Sequence, residues 1–276
     1  MEWLVSLGEY VKRRLFPIHY DATFHTSEMY YTSVYLDCMR PLLSELKPRF
    51  PLSFLDAGCG TGRFLVPFAT EGHRMTAIDF HKDSLRIASE NAKTAGVEVT
   101  LHDGDMVKTL TSFEDESFDT VMSIEVLYTS TDRGQVMAEL ARVLKPGGLM
   151  FVTHRTRFYY LTQALAKGAF DDALTIATHN EGRLLKKHHR IFYNWQTRAE
   201  IEQTYVTLGM DVRQMRGIDP YTGCESDPKQ PICDPGELTP DQQTKLRRVE
   251  DAADPETMMT SRYVLVAAQK PNASGR

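Results

Sequence analysis

Cysteine is scarce in this chain, and its few cysteines form no recognisable framework. There are 4 among 276 residues, at Cys38, Cys59, Cys224 and Cys233. They are too few and too scattered for a disulfide-stapled secreted domain. Cys224 and Cys233 lie closest together, but no paired histidine or further cysteine accompanies them, so a zinc motif is not indicated. We therefore expect free thiols and no metal.

Long apolar runs and excess positive charge are also missing. No run approaches the ~20 apolar residues of a membrane span, and the amino terminus lacks the basic-then-apolar order of a signal peptide. We expect a cytoplasmic protein. With a net charge of -5 and a pI near 6.0, a nucleic-acid partner is disfavoured. The local basic run from Lys186 to Arg190 is interpreted as a solvated face.

From Leu52 onward, short apolar runs alternate with longer segments of helical periodicity. This alternation is typical of βαβ units and a mostly parallel sheet. The predicted strands are 52–57, 74–79, 97–102, 118–124, 149–153, 210–216 and 262–268, and the predicted helices are 63–71, 83–95, 132–144, 197–208 and 240–250. The pattern predicts an α/β fold with a doubly wound, seven-stranded sheet and helices on both faces.

The alternation breaks after the fifth predicted strand. Residues 155–193 hold helix-forming stretches and basic residues, which we interpret as a helical lid insertion. A second insertion, 218–260, contains six prolines and is long for a connection, so we expect it to be functional or mobile. Residues 1–50 are interpreted as an amino-terminal helical cap on a single domain of residues 51–276.

The strongest local signal is a glycine-rich loop in the segment Phe54 to Phe64, which reads FLDAGCGTGRF. A buried strand runs into a tight turn and then a helix. Glycine suits this turn because a Cβ would block the close approach of a ligand to the backbone. A dinucleotide fingerprint has glycine or alanine at its sixth position, which is Arg63 here. The spacing argues against an oxidoreductase, and a tight turn without a ligand stays open.

An Asp-x-Gly-x-Gly-x-Gly loop beginning at Asp56 resembles the motif of class I S-adenosylmethionine-dependent methyltransferases. The resemblance implies a Rossmann-like fold and S-adenosyl-L-methionine as the cofactor, with its amino-acid end beside the loop. The loop residues implied in cofactor binding are Asp56, Gly58, Cys59, Gly60, Thr61 and Gly62.

The ends of the second and third predicted strands agree with this resemblance. Asp79 ends the second strand, where a carboxylate can accept hydrogen bonds from both ribose hydroxyls, and Phe80 follows it. Asp105, followed by Met106, matches the family position that contacts the adenine amino group. Asp103 competes for that role, and a turn or cap function for Asp105 stays open.

The fourth strand and the amino-terminal segment add three further positions. By resemblance, the backbone at Ile124 contacts the cofactor and Glu125 is its neighbour, because ligands bind at the carboxyl ends of such strands. Tyr30 belongs to a tyrosine-rich segment that often covers the cofactor in relatives. Its alternative role is an aromatic face packed on the domain.

Methyl transfer is an in-line displacement that chiefly requires positioning and desolvation, with a base where the acceptor loses a proton. His154 is our first candidate for that base and Tyr128 the second, since both follow strands that end at the cleft. Thr129 and Arg155 are candidate substrate contacts. A buried His154 bonded to its neighbours is the alternative.

The leading functional hypothesis is methyl transfer to a small molecule, at an oxygen, nitrogen or carbon atom, with the lid closing over a compact acceptor. An RNA or protein methyltransferase is a second hypothesis, which needs a basic stripe or an extended groove. A third is a protein that binds the cofactor without catalysis, because the reaction needs no obligatory catalytic side chain. The sequence leaves the acceptor and the oligomeric state open.

Overall fold

The computed structural model describes residues 26–186, 189–220, 235–252 and 257–272. Cys224, Cys233, Lys187 and His188 therefore lie outside the described residues, as does much of the predicted cap. The helices are α1 (Thr26–Ser44), α2 (Leu65–Thr70), α3 (Lys82–Thr94), α4 (Met106–Leu110), α5 (Arg133–Val143), α6 (Arg157–Ala166), α7 (Phe170–Thr178), α8 (Arg198–Thr207) and α9 (Pro240–Asp251). None of these helices is both long and apolar enough to cross a membrane.

The strands of the described residues are β1 (Ser53–Ala57), β2 (Arg74–Asp79), β3 (Val99–Asp103), β4 (Phe118–Ser123), β5 (Leu144–Arg155), β6 (Glu181–Lys186), β7 (His189–Asn194), β8 (Asp211–Ile218) and β9 (Tyr263–Gln269). Seven of them form the main sheet, in the order β3-β2-β1-β4-β5-β9-β8. The neighbouring strands from β3 through β2, β1 and β4 to β5 pair in parallel, and β9 is antiparallel to both β5 and β8. The predicted mostly parallel α/β sheet is confirmed.

Helices cover both faces of this sheet. On one face α1 and α2 pack a core that includes Tyr35, Phe54 and Phe151. On the other face α5 and α8 pack a core that includes Val152 and Tyr205. Because successive side chains of a strand point to opposite faces, the end of β5 divides its residues between these two layers.

The described residues of the segment 157–194, called the lid from here on, form a compact unit on a fixed stem. The backbone N–H of Arg157 donates to the carbonyl of Gln196 (3.0 Å), and the N–H of Gln196 donates to the carbonyl of Arg155 (2.9 Å). Entry and exit of the lid are thus tied together. The expectation of a helical lid needs correction, because α6 and α7 are followed by the β6–β7 hairpin. Of the basic run, Lys186 ends β6, and His189 and Arg190 begin β7.

Asn194 joins the lid to the segment after β4. Its Nδ2 donates to the carbonyl of Leu127 (2.8 Å) and to that of Ser130 (3.3 Å), and the side chain is buried. Trp195, the next residue, is fully buried and donates from Nε1 to the carbonyl of His179 (2.7 Å). These contacts hold the hairpin over the carboxyl edge of the sheet.

The second insertion contains α9, close to the predicted 240–250. Its Thr239 begins the helix with a capping box to Gln242, and it packs on α1 through an ion pair between Arg247 and Asp37 (3.2 Å). The strand at β5 begins earlier than predicted, at Leu144, while α2 is shorter than the predicted 63–71 because the glycine loop takes up the residues before it.

Replacing Asn194 with alanine tests the attachment of the lid. We expect the free energy of unfolding to fall by about 1 to 3 kcal/mol, because two carbonyls lose a buried donor. Urea denaturation measures this change. Asn180→Ala is the matched control, since Asn180 is exposed and its variant should unfold like the wild type. Equal stability of the two variants would contradict the attachment.

Candidate active site

The glycine loop lies at the carboxyl edge of the sheet, between β1 and α2. Gly58, Gly60 and Gly62 have positive φ angles of 94°, 53° and 92°, a backbone region that side chains disfavour. A Cβ at Gly58 would collide with the methyl groups of Val126, whereas a Cβ at Gly60 would find no atom within 4 Å. Gly58 therefore serves packing, and Gly60 faces open space.

Asp79 ties the end of β2 to this loop. Its Oδ2 accepts from the N–H of Gly60 (2.9 Å), and its Oδ1 accepts from the N–H of His81 (2.8 Å). Each carboxylate oxygen can accept a further hydrogen bond. Burial raises the pKa of Asp79, and the bonds from His81 and Gly60 oppose that rise. The carboxylate is thus held at the end of β2, where the sequence predicts an acceptor for the ribose hydroxyls of the cofactor.

Asp56 is the most strongly perturbed carboxyl group of the loop. It is 2% exposed, and its Oδ2 has no hydrogen-bond partner among the described residues. Burial, and then the nearby carboxylate of Asp79, raise its pKa to about 8. A buried carboxyl group without a partner is costly to ionise. A cationic group beside it would remove that cost.

The remaining predicted loop and strand-end residues lie around the same edge. Cys59, Thr61 and Ile124 are buried. Asp105 is the N-cap of α4, where its Oδ1 accepts from the N–H of Lys108 (3.0 Å), so it has the capping function that the sequence left open. Its adenine contact stays a prediction, as do the cofactor contacts of Met106 and Phe80. The competitor Asp103 pairs with Lys82 at 3.7 Å.

Glu125 follows β4 and is held in a left-handed conformation, with φ of 60°. Its N–H donates to Oγ1 of Thr153 (2.6 Å) on the neighbouring strand. Its Oε1 accepts from the hydroxyl of Tyr35 (3.0 Å) and from Nη1 of Arg63 (3.3 Å). Strained non-glycine conformations concentrate at functional sites because the surrounding contacts must enforce them.

Arg63 connects this carboxylate to α1. Its Nη1 lies 3.3 Å from Glu28, and its Nε donates to Oγ1 of Thr32 (2.7 Å). Burial opposes the charge of Arg63, but the carboxylates of Glu125 and Glu28 outweigh it and raise its pKa. Arg63 speaks against a dinucleotide in the sequence, but it was not predicted as a site residue. Its place directly after the last glycine was the available signal.

Tyr30 contacts the second insertion. Its hydroxyl donates to Oε2 of Glu250 on α9 (2.8 Å), and the side chain is buried. This agrees with the packing alternative, and the contact of Tyr30 with the cofactor remains a prediction. Tyr35, one turn and a half along α1, is the tyrosine that reaches the site. The tyrosine-rich sequence alone could not separate the two.

A second concave surface, called the tyrosine cleft from here on, lies between the lid and the segments that follow β4 and end β5. It is lined by residues from the segment after β4, the end of β5 and the lid, among them Tyr128, Arg155, Tyr159, Tyr160, Gln163, Lys167, Asp172, Lys186 and Tyr193. Two of the predicted residues, Tyr128 and Arg155, are therefore brought together. Thr129 lies in the same turn as Tyr128 and donates to the carbonyl of Val126 at 3.4 Å.

Arg155 is surrounded by aromatic rings at the base of this cleft. Its Cζ lies 4.0 Å from the ring centroid of Tyr263, 4.4 Å from that of Tyr159 and 4.8 Å from that of Tyr128. Each such contact contributes roughly 0.5 to 2 kcal/mol, and more when the cation is desolvated. Arg155 is 3% exposed, and the surrounding rings hold its buried cation in place.

His154 requires a correction, because it points to the opposite face of β5. It is 2% exposed, with Nδ1 3.3 Å from Oε1 of Gln196 and Nε2 2.9 Å from the hydroxyl of Tyr205 on α8. Burial, and then the charge of Arg133, lower its pKa to about 3. Both ring nitrogens are engaged in the core, so this environment fits a buried structural histidine and not a base at the cleft.

Comparison with known proteins identifies the domain. Residues 55–152 match the family described as "Methyltransferase domain". This match supports a class I S-adenosylmethionine-dependent methyltransferase domain in this part of the chain. A S-adenosylmethionine-dependent methyltransferase from Methanosarcina mazei has the same fold, with a TM-score of 0.59 and 18% identity, over 80% of this chain and 93% of that one.

Two curated relatives resemble this chain in sequence. The ubiquinone biosynthesis O-methyltransferase of Ralstonia nicotianae is 28% identical over 173 residues, which are 61% of this chain and 68% of that protein. The enzyme of the same name from Caulobacter vibrioides is 33% identical over 106 residues, which are 38% of this chain and 42% of that protein. The matched segments thus cover about two thirds of the first relative and less than half of the second.

S-adenosyl-L-methionine is the cofactor of this domain, and the residues of the methyltransferase loop fit it. The open space at Gly60 leaves room for a ligand against the backbone. The buried Oδ2 of Asp56 offers an acceptor for a cationic amino-acid end, and Asp79 offers carboxylate oxygens for ribose hydroxyls. The individual contacts of these three residues remain predictions.

Replacing Gly60 with alanine should weaken cofactor binding at least about tenfold, because the added methyl group enters the ligand space. Calorimetric titration with S-adenosylmethionine measures the affinity. Gly96→Ala is the matched control: Gly96 also has a positive φ, 70°, and nothing within 4 Å of its Cβ position, but it ends α3 at the opposite edge of the sheet. Equal affinity in both variants would mean that the loop is not the ligand site.

Asp56 should make cofactor binding depend on pH. A cationic ligand favours the ionised carboxyl group, so affinity should rise, by at most about tenfold per unit, as the pH approaches 8. Titrations between pH 6 and 8.5 measure the slope, and Asp56→Asn should lack this component. Because the pKa of Asp56 is raised in the folded protein, its uncharged form contributes to the stability of the fold. This contribution is fully present below the unfolded pKa near 4 and is lost as the pH rises towards 8. An unchanged slope in the variant would contradict the assignment.

Proposed function

We propose that this protein transfers a methyl group from S-adenosylmethionine to an oxygen atom of a small molecule bound in the tyrosine cleft. The observation that carries the proposal is the adjacency of the two sites. The glycine loop follows β1, the cleft begins after β4 and at the end of β5, and β1, β4 and β5 are neighbours in the sheet. The carboxyl ends of parallel strands open on one edge, so both ligands meet there.

The choice of oxygen rests on the names of the two curated relatives, and the choice of a small molecule on the shape of the cleft. The hairpin and α6 bound the cleft on the lid side, which suits a compact acceptor better than a polymer. The stem at Thr156 and Gln196 and the contacts of Asn194 keep the lid over the site. An enclosed site excludes water and orients the acceptor.

When bound, S-adenosylmethionine supplies a methyl group on a positively charged sulfur. The chain's own residues position and desolvate the acceptor. Arg155 places a fixed positive charge at the base of the cleft, which stabilises an acceptor oxygen that carries negative charge. Burial raises the pKa of the Tyr160 hydroxyl well above its ordinary value, so Tyr160 acts as a hydrogen-bond donor and not as a base. The predicted alternative base, Tyr128, remains a proposal.

Incubation of the purified protein with S-adenosylmethionine and a panel of small phenols and alcohols tests the function. We expect formation of S-adenosylhomocysteine together with an acceptor that has gained one methyl group, both detected by mass spectrometry. His154→Asn should keep activity across neutral pH, because His154 is buried away from the cleft. Transfer to RNA or protein alone, or a histidine-dependent rate, would overturn the proposal.

A further inference from the structure

The lining of the tyrosine cleft is unusually aromatic. Tyr128, Tyr159, Tyr160 and Tyr193 all contribute to it. The rings of Tyr128 and Tyr193 are parallel within 4°, with centroids 6.3 Å apart, and the ring of Tyr160 lies 5.3 Å from that of Tyr193. Flat aromatic walls favour a flat ligand, because ring-to-ring contacts gain more than the area they bury.

The charge of the cleft is positive. Arg155 lies at its base, and Lys167 and Lys186 lie at its exposed rim. Asp172 is the carboxylate among the described lining residues, and it already accepts from the N–H of Leu185 (3.0 Å) and from Nη1 of Arg190 (3.1 Å). The cations therefore outnumber the carboxylate, although the chain as a whole carries a net charge of -5. Such a cleft attracts an anion.

The hydroxyl of Tyr160 is a buried donor in the same lining. Tyr160 is 9% exposed, and its oxygen has no hydrogen-bond partner among the described residues. A buried hydroxyl without a partner costs free energy, so such groups are normally paired by protein, water or ligand. An oxygen atom of a ligand in the cleft would satisfy it.

We propose that the tyrosine cleft binds an acceptor that combines an aromatic ring with an anionic oxygen group, a carboxylate or a phenolate. This inference rests on the methyl-transfer function proposed above and specifies its substrate class. The tyrosine rings hold the ring of the acceptor, Arg155 faces the anionic group, and the hydroxyl of Tyr160 donates to one of its oxygens. A guanidinium fixed by stacked rings suits such recognition better than a mobile ammonium.

Calorimetric binding of small probes, without turnover, tests the proposal. 4-Hydroxybenzoate should bind at least about tenfold more tightly than benzyl alcohol, which has the ring without the charge, and than cyclohexanecarboxylate, which has the charge without the aromatic ring. Benzoate and 4-nitrophenolate then distinguish a carboxylate site from a phenolate site. The proposal is overturned if benzyl alcohol or cyclohexanecarboxylate binds as tightly as 4-hydroxybenzoate, or if no aromatic anion binds.

Three variants locate the binding in the cleft. Arg155→Met should weaken 4-hydroxybenzoate about tenfold and leave benzyl alcohol unchanged, and Tyr160→Phe should weaken 4-hydroxybenzoate several-fold. Arg198→Met is the control, because Arg198 is an exposed arginine of α8 paired with Glu202, and its variant should bind like the wild type. Thermal melting checks folding. If Arg155→Met does not fold, Tyr160→Phe decides, and its unchanged affinity contradicts the proposal.

Titration with S-adenosylmethionine separates this inference from the function it rests on. Binding of the aromatic anion without binding of S-adenosylmethionine would refute methyl transfer and leave the cleft as an anion site. The opposite result would be binding of S-adenosylmethionine while the aromatic anion binds neither with nor without S-adenosylmethionine. It would refute the inference and leave methyl transfer to another acceptor class.

Discussion

The carboxylate of Glu125 joins the parts of the molecule that make up the active site. It accepts from Tyr35 of α1 and from Arg63 of the glycine loop, and Arg262, next to β9, lies 3.9 Å away. Arg262 in turn lies 2.7 Å from Asp219 at the end of β8. Breaking one partner of a buried ion pair leaves an uncompensated charge and is strongly destabilising. The cap, the loop and the last strands are therefore fixed to one another through this carboxylate.

This arrangement explains how the backbone at Glu125 keeps its left-handed conformation. Such strain costs about 1 to 3 kcal/mol, and the bond from its N–H to Thr153 together with the cations on its side chain offsets it. The residue follows β4, which lies between the strand that carries the glycine loop and the strand that carries Arg155. The strain thus lies at the boundary between the cofactor side and the acceptor side, where a shift in the backbone would change both.

The sheet and the cofactor loop could be predicted from the sequence because their signals are local. Apolar runs fix the strands, and three glycines at fixed spacing fix the turn. The direction of His154 was predicted wrongly because neighbouring residues of a strand face opposite sides, and the faces are set only by packing. The hairpin of the lid was missed because basic residues mask its alternation. Arg63, Tyr35 and Tyr160 depend on contacts over long sequence distances, which no local pattern shows.

Cofactor identity is the central claim, and calorimetric titration of the purified protein with S-adenosylmethionine and, in parallel, with NAD tests it most directly. Arg63 at the position of the third fingerprint glycine and the buried carboxyl group of Asp56 favour a cationic ligand over a pyrophosphate. We predict saturable binding of S-adenosylmethionine with one site per chain and no binding of NAD. Saturable binding of NAD, with none of S-adenosylmethionine, would contradict the account.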